Sequence, residues 1–236
     1  MPFGRFSISG YRNLPIIFLC YHTCVLKLLQ QFNYTPPHIE HYNNGVLRVE
    51  GDIQHGWELF VDGQQWMTYN LLDHDQAFEL YSHYDLAYGH CICTGLGFGI
   101  RENWLLTKSE VTKLTVLEKN KEVIEYHQHI KSPMLDHIEV IHVDANEYKG
   151  QCDTLLFDHV EFFDIKNSLI KNVRHCATNI EHNTLWFWPL ELLLTKKQNY
   201  QKIRSTLPTL PDLDKETLLL YTGMYNINKR EGSKHD

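Results

Sequence analysis

The segment from residue 91 to residue 118 constrains the fold of this 236-residue chain more than any other. It reads CICTGLGFGIRENWLLTKSEVTKLTVLE: a short apolar strand, a glycine turn, a helix, and a second strand that ends in an acid. Gly95, Gly97 and Gly99 allow the backbone of such a turn to approach a ligand closely. This order predicts two neighbouring parallel strands with a ligand site at their carboxyl ends.

Strand and helix patterns alternate through the rest of the chain after residue 88. We predict strands at 90–94, 114–118, 138–144, 154–158, 184–188 and 218–222, with helices at about 99–109, 120–131, 160–181 and 190–204 between them. Alternation of this kind builds βαβ units. The predicted fold class is therefore α/β, with a doubly wound, mostly parallel Rossmann-like sheet.

A different pattern precedes this domain. Residues 46–70 alternate with a period of two and predict three short antiparallel strands, with Asp62-Gly63 as a tight turn between the last two. A helix over 75–87 follows. We accordingly divide the chain into an N-terminal extension that is helical or poorly ordered (1–44), a small β-hairpin unit with its linking helix (45–88), the Rossmann-like domain (89–228) and a tail (229–236).

Composition and charge narrow the classes of partner. The 22 basic and 29 acidic residues give a formal charge of −7, which makes a nucleic-acid substrate unlikely. The apolar segment 14–29 is interrupted by Tyr21, His22 and Lys27 and is too short to span a membrane. We interpret it as a buried or partner-facing helix, which leaves a homodimer open. The six cysteines match no zinc motif, so we expect free thiols, no metal and a cytoplasmic protein.

Acidic residues close the predicted strands. Glu118 ends the second strand 19 residues after Gly99, where an acid accepts hydrogen bonds from ribose hydroxyls; the alternative is a solvated acid at a strand end. The third strand ends in Asp144-Ala145, and Asp158 closes the fourth. Acids around one crevice disfavour phosphates and suit a cationic ligand with hydroxyl and amino groups.

The motifs GLGFG, LEKN, VDANEY and CDTLLFDHVE, in this order over residues 88–190, resemble those of class I S-adenosylmethionine-dependent methyltransferases. The resemblance implies that the glycine turn lies under the methionine part, that Glu118 binds the ribose, and that Asp144 and Ala145 contact the adenine. Asp158 would face the reacting centre. The full set of implied cofactor-binding residues is Gly95, Leu96, Gly97, Gly99, Glu118, Lys119, Asp144, Ala145 and Asp158.

Residues 58–89 are similar to the stretch before the glycine motif in spermidine synthases. The similarity rests on the Asp62-Gly63 turn, on Gln65, and on Glu79 and His83 in the predicted helix. Two departures separate the chain from those enzymes: Phe98 stands where they carry an acid, and Asp158-His159-Val160-Glu161 replaces their acid pair after the fourth strand. We expect a hairpin of this type to close over a substrate through Gln65, Trp66 and Tyr69.

Methyl transfer requires a nucleophile aligned with the S–CH3 bond and, for an amine or hydroxyl acceptor, a base. Asp158, His159 and Glu161 are the candidate catalytic residues, and Asp158 is favoured because the carboxyl end of its strand faces the crevice. The leading hypothesis is a methyltransferase acting on a small molecule or a protein side chain. An aminopropyltransferase using decarboxylated S-adenosylmethionine, and a non-catalytic nucleoside-binding or scaffold protein, are the alternatives.

Overall fold

Two β-sheets organise the part of the chain that the computed structural model describes, namely residues 36–52, 54–69, 83–158, 169–188, 190, 198–214 and 217. Several predicted features lie outside these residues. They are the apolar segment 14–29, most of the helix 75–87, the strand 218–222, the tail, and the candidate residues His159 and Glu161.

The first sheet is antiparallel. Its strands pair in the order β1-β2-β3-β4: β1 (Tyr42–Asn43), β2 (Leu47–Asp52), β3 (Gly56–Val61) and β4 (Gln64–Tyr69). Leu47 and Leu59 are among the residues buried on one face, as the period of two predicted. Asp62 and Gly63 both have positive φ, 51° and 76°, which is the backbone of a two-residue hairpin turn. The predicted antiparallel unit is confirmed, with β1 added to it.

A bulge shifts the pairing of β3 with β4. Leu59 pairs with Met67, but the next residue, Phe60, pairs with Gln65, so Trp66 is the extra residue on β4. Residues directly opposite each other in an antiparallel pair point to the same face. The bulge therefore places Met67 on the buried face with Leu59, and Gln65 on the opposite face with Phe60.

The second sheet is parallel throughout. Its strands lie in the order β7-β6-β5-β8-β9: β5 (Gly89–Thr94), β6 (Val111–Glu118), β7 (Glu139–His142), β8 (Gly150–Phe157) and β9 (Ile180–Phe187). Ile92, Val116 and Leu155 are fully buried at its centre, as expected of a sheet covered on both faces. The predicted Rossmann-like sheet with a separate antiparallel unit is confirmed.

The helices whose bounds are described are α1 (Ile100–Leu105), α2 (Lys121–His129), α3 (Leu169–Asn179) and α4 (Gln198–Thr206), with a 3-10 turn at Pro133–Asp136. The chain runs outward from β5 to β7, returns to β8 on the other side of β5, and continues to β9. Right-handed crossovers therefore place the helices of the two halves on opposite faces. The switch point lies between β5 and β8, where ligands bind in sheets of this kind.

Several bounds differ from the sequence prediction. β6, β8 and β9 begin at Val111, Gly150 and Ile180, three or four residues earlier than predicted, because their first halves are polar and give no apolar pattern. β7 is shorter than predicted. α1 ends at Leu105 rather than near residue 109: the Thr107 and Lys108 amides donate to carbonyls three residues earlier, those of Trp104 and Leu105, at 3.0 and 3.1 Å.

Two findings concern membrane-spanning helices and cysteines. Of the helices within the described ranges, none is both long and apolar enough to cross a membrane. The described cysteines, Cys91, Cys93, Cys152 and Cys176, are free thiols.

Tyr126 on α2 anchors the chain that leads into β1. Its hydroxyl accepts a hydrogen bond from the Glu40 amide at 3.1 Å and donates to the Glu40 carbonyl at 3.3 Å. Its fully buried ring meets Tyr42 edge-on, with 5.5 Å between ring centroids. One side chain therefore joins the antiparallel sheet to α2.

We expect Tyr126→Phe to lower the free energy of unfolding by about 0.5–1.5 kcal/mol, because the change removes the hydroxyl and keeps the ring. Urea unfolding followed by circular dichroism measures this. Tyr42→Phe is the matched control, since its hydroxyl has no hydrogen bond to any described residue. An equal loss in both variants would show that the Glu40 contact contributes nothing specific.

Candidate functional site

The carboxyl ends of β5, β6 and β8 meet at one edge of the parallel sheet. Thr94 ends β5, Glu118 ends β6, and Asp158 follows β8 directly. The Asp158 amide donates to the Thr94 hydroxyl at 2.8 Å, which joins the two strand ends across the switch point. The predicted site residues on these strands therefore lie at the same edge.

The glycine turn follows β5. Gly95, Gly97 and Gly99 have φ of 78°, 51° and 73°, in the left-handed region that other residues avoid. A Cβ atom at Gly97 would lie 2.5 Å from Met67 Sδ, and one at Gly99 would lie 2.7 Å from the Sδ of Met134. The turn needs glycine both for its backbone and for close packing against two methionine side chains.

Arg101, which the sequence analysis did not single out, lies beneath this turn at the start of α1. Only 4% of the residue is exposed. Its Nη2 donates to the carbonyls of Gly95 at 2.7 Å and Thr94 at 3.3 Å, and its Nη1 is 3.3 Å from Asp158 Oδ2. Nε and Nη2 also bind Glu102 Oε1, at 3.0 and 2.7 Å. The sequence gives no signal for this burial, because a charged residue at the start of a helix usually faces solvent.

Asp158 is the titratable group at the centre of the site. Burial raises its pKa to about 6; Arg101 opposes this rise, and the nearby Glu102 carboxylate adds to it. The side chain is nevertheless 37% exposed, so it is not completely enclosed by the protein. A pKa close to neutral suits a group that accepts a proton during a reaction.

Glu118 joins the end of β6 to the glycine turn. Its Oε2 accepts a hydrogen bond from the Leu96 amide and its Oε1 accepts one from the Asn120 amide, both at 2.7 Å. Burial raises the pKa of Glu118, and these amides hold the rise in check. The residue is only 5% exposed. The Lys119 amide also contacts this carboxylate, so three backbone amides hold it in place. A carboxylate has room for one more donor beyond these three, and ribose binding by Glu118 stays a prediction.

Asp144, after β7, is paired with another predicted residue. Lys119 Nζ lies 3.0 Å from Asp144 Oδ2, and the Asn146 amide donates to Oδ1 at 2.9 Å. Burial of Asp144 opposes its ionisation, but the Asn146 and Lys119 contacts outweigh it and lower its pKa. Ala145 is buried, and its carbonyl accepts the Cys176 thiol at 3.6 Å.

The predicted substrate-covering residues of the hairpin lie on different faces of the antiparallel sheet. Tyr69 is buried, with its ring centroid 6.5 Å from that of Phe98 in the glycine turn. Gln65 lies on the opposite face, where its side chain donates to Glu58, and Trp66 is exposed at the bulge. Met67 is the hairpin residue that reaches Gly97, and sequence reasoning missed it because the bulge has no signal in the alternating pattern.

Two further findings concern His83 and metal binding. His83, from the spermidine-synthase-like stretch, is fully buried, and burial, reinforced by the Arg101 charge, lowers its pKa well below the ordinary value. His83 is therefore neutral. Within the described ranges, no group of three or more His, Cys, Asp or Glu side chains is placed to hold a metal ion.

The chain is similar to a number of solved structures, whereas the comparisons with protein families and with curated proteins found no match. Similar structures include spermidine synthase from Thermotoga maritima, with 17% identity, a TM-score of 0.43, and coverage of 63% of this chain and 54% of that one. A proposed RNA methyltransferase from Pyrococcus horikoshii has 15% identity and a TM-score of 0.41, with 57% and 69% coverage.

A proposed S-adenosylmethionine-dependent methyltransferase from Methanococcus maripaludis is also similar, with 11% identity, a TM-score of 0.39, and coverage of 56% of this chain and 74% of that one. Both families that the sequence motifs resemble are thus represented among the similar structures. The matched region spans about half of the spermidine synthase chain. The strand order of the parallel sheet, β7-β6-β5-β8-β9, is itself the basis for the Rossmann-like fold.

We expect Arg101→Met to lower the free energy of unfolding by about 3–5 kcal/mol, because it leaves the buried Glu102 carboxylate unpaired. Chemical denaturation measures the loss. The double variant Arg101→Met/Glu102→Met should recover at least half of it, since apolar side chains then replace both charges. Arg48→Met, which removes a surface pair with Glu50, is the control and should cost less than about 1 kcal/mol. A loss below that level in Arg101→Met would mean that the guanidinium is solvated.

Proposed function

We propose that this chain is an S-adenosylmethionine-dependent transferase that moves a methyl group to a small molecule or a protein side chain. The observation that supports the proposal is the convergence of the glycine turn, Glu118 and Asp158 at the switch point of a parallel sheet. His159 and Glu161 remain candidate catalytic residues of the segment that follows Asp158.

The charges at this edge favour a cationic nucleoside over a nucleotide. Glu118, Asp144 and Asp158 are carboxylates at or next to three strand ends, while Arg101 and Lys119 are already paired with acids. A sulfonium ion is attracted by such a site and a phosphate is repelled. The remaining acceptor site of the Glu118 carboxylate suits a ribose hydroxyl. The residues present therefore fit S-adenosylmethionine.

When bound, the cofactor supplies a methyl group on a positively charged sulfur, which leaves as a neutral thioether. The chain contributes alignment and a proton acceptor. Arg101 Nη1 contacts Oδ2 of Asp158, and the Thr94 hydroxyl accepts the Asp158 backbone amide, so both its side chain and its backbone are held. Asp158 then accepts the proton of an amine or hydroxyl acceptor.

Aminopropyl transfer from the decarboxylated cofactor is the second candidate. One observation favours it: the antiparallel sheet that precedes the parallel sheet reaches the glycine turn through Met67 and Tyr69. Phe98 weighs against it, because this fully buried ring stands where spermidine synthases carry an acid. A non-catalytic protein of the same fold is the third.

Isothermal titration calorimetry with S-adenosylmethionine and its decarboxylated form separates these candidates. We expect tighter binding of the carboxylated form. Glu118→Ala should weaken it by about 1–3 kcal/mol, the cost of unpaired ribose hydroxyls. The matched control is Glu125→Ala, which removes an acid from the surface of α2. If neither form binds at millimolar concentration, both enzyme proposals fail.

We expect the rate of methyl transfer to fall as the pH drops through about 6, because protonation of Asp158 removes the proton acceptor. Transfer of an isotopically labelled methyl group to a panel of amines and hydroxyl compounds measures this. Asp158→Asn should keep cofactor affinity, reduce turnover and abolish the acidic limb of the profile. Asp136→Asn, at an exposed position, is the control. Equal loss of affinity and turnover in Asp158→Asn would indicate a structural role instead.

A further inference from the structure

Glu102 and Asp158 are two acids that share one arginine. Glu102 is 1% exposed and follows Arg101 on α1, and Asp158 reaches the same guanidinium from the end of β8. One cation cannot fully neutralise two carboxylates that are partly or completely removed from water. The division of Arg101 between them therefore determines how basic each carboxylate is.

The hydrogen bonds divide Arg101 unequally. A guanidinium binds a carboxylate most strongly through two adjacent N–H groups, at about 2.7–2.9 Å. Glu102 Oε1 occupies the edge formed by Nε and Nη2, at 3.0 and 2.7 Å. Nη2 also donates to the Gly95 carbonyl at 2.7 Å. Asp158 is left with one contact to Nη1, at 3.3 Å, so Glu102 takes the larger share of the positive charge.

Three further titratable side chains interact electrostatically with this cluster: His83, Cys93 and Glu118. Burial lowers the pKa of the His83 imidazole and raises the pKa of the Cys93 thiol, so both are neutral. Glu118 is held by backbone amides at the end of β6. Burial raises the pKa of Asp158, and two charges then act on it: Arg101 lowers this pKa and Glu102 raises it.

We propose that Glu102 is a positioning residue: it holds Arg101 by the Nε–Nη2 edge, prevents a two-bond ion pair between Arg101 and Asp158, and so keeps Asp158 a proton acceptor near neutral pH. This inference rests on the proposed function, because Asp158 is the candidate base of that reaction. A carboxylate in a two-bond pair with arginine is a weak base, whereas an efficient proton acceptor has a pKa close to the working pH. Glu102 acts through Arg101 and needs no contact with a ligand.

The carboxyl carbon of Asp158 tests this inference directly. In protein labelled with carbon-13 at aspartate, its chemical shift is followed from about pH 4 to about pH 8, and Asp158→Asn identifies the signal. We expect a midpoint of about 6 in the wild type. Glu102→Gln keeps the shape and an acceptor oxygen but removes the charge, so the midpoint should fall by about 1 pH unit or more. Glu50→Gln, which removes the acid partner of the exposed Arg48, is the matched control and should leave the midpoint unchanged.

The pH profile of methyl transfer extends the test to the reaction. In Glu102→Gln the acidic limb should move to lower pH together with the midpoint of Asp158. The rate on the plateau above the limb should fall about 3- to 10-fold, because the carboxylate has become a weaker base. A merely structural role of Glu102 would lower the rate without moving the limb.

The outcomes separate this inference from the proposed function. If the wild type transfers no methyl group, the proposed function fails and the inference fails with it. If the wild type is active and the midpoint of Asp158 is the same in a folded Glu102→Gln, or lies at or below about 4 in the wild type, the inference is wrong and the proposed function stands. Should Glu102→Gln not fold, Glu102→Met removes the same charge with an apolar side chain of similar length; an unchanged midpoint in that variant again overturns the inference.

Discussion

The buried guanidinium of Arg101 is the interaction on which the rest of the site depends. Removing a cation from water is costly, and only well-placed acceptors repay the cost. Here the acceptors are the Glu102 and Asp158 carboxylates and the carbonyls of Thr94 and Gly95. These groups belong to β5, the glycine turn, α1 and the end of β8. One side chain therefore determines how the turn and the candidate base lie relative to each other.

The same cluster explains why the acids of the site differ in pKa. Burial raises the pKa of Asp158 and Glu118, and Arg101 and backbone amides limit the rise, whereas Lys119 and the Asn146 contacts lower the pKa of Asp144. Groups whose surroundings push their pKa values apart are suited to different tasks. Asp158 is placed to exchange a proton near neutral pH, and Asp144 to remain an ionised hydrogen-bond acceptor.

The sequence was sufficient for features that depend on local pattern. Alternating strands and helices predicted the parallel sheet, and Asp62-Gly63 predicted the hairpin turn. The sequence was insufficient where contacts between residues far apart in the chain determine the conformation. A charged residue at the start of a helix usually faces solvent, and only the acceptors around Arg101 make its burial possible. The bulge at Trp66 likewise moves Gln65 to the outer face and brings Met67 to the turn, and a single extra residue leaves no trace in a period of two.

The glycine turn is held from several sides despite a composition that suggests mobility. Arg101 binds the Gly95 carbonyl, His127 binds the Gly97 carbonyl, and Glu118 accepts the Leu96 amide. Met67 packs against Gly97 from the antiparallel sheet. A turn fixed in this way loses little conformational entropy when a ligand binds, which favours affinity. Tyr69 of the same hairpin lies against Phe98, with 6.5 Å between ring centroids. The antiparallel sheet therefore packs directly on the glycine turn and helps to fix the conformation that a ligand would meet.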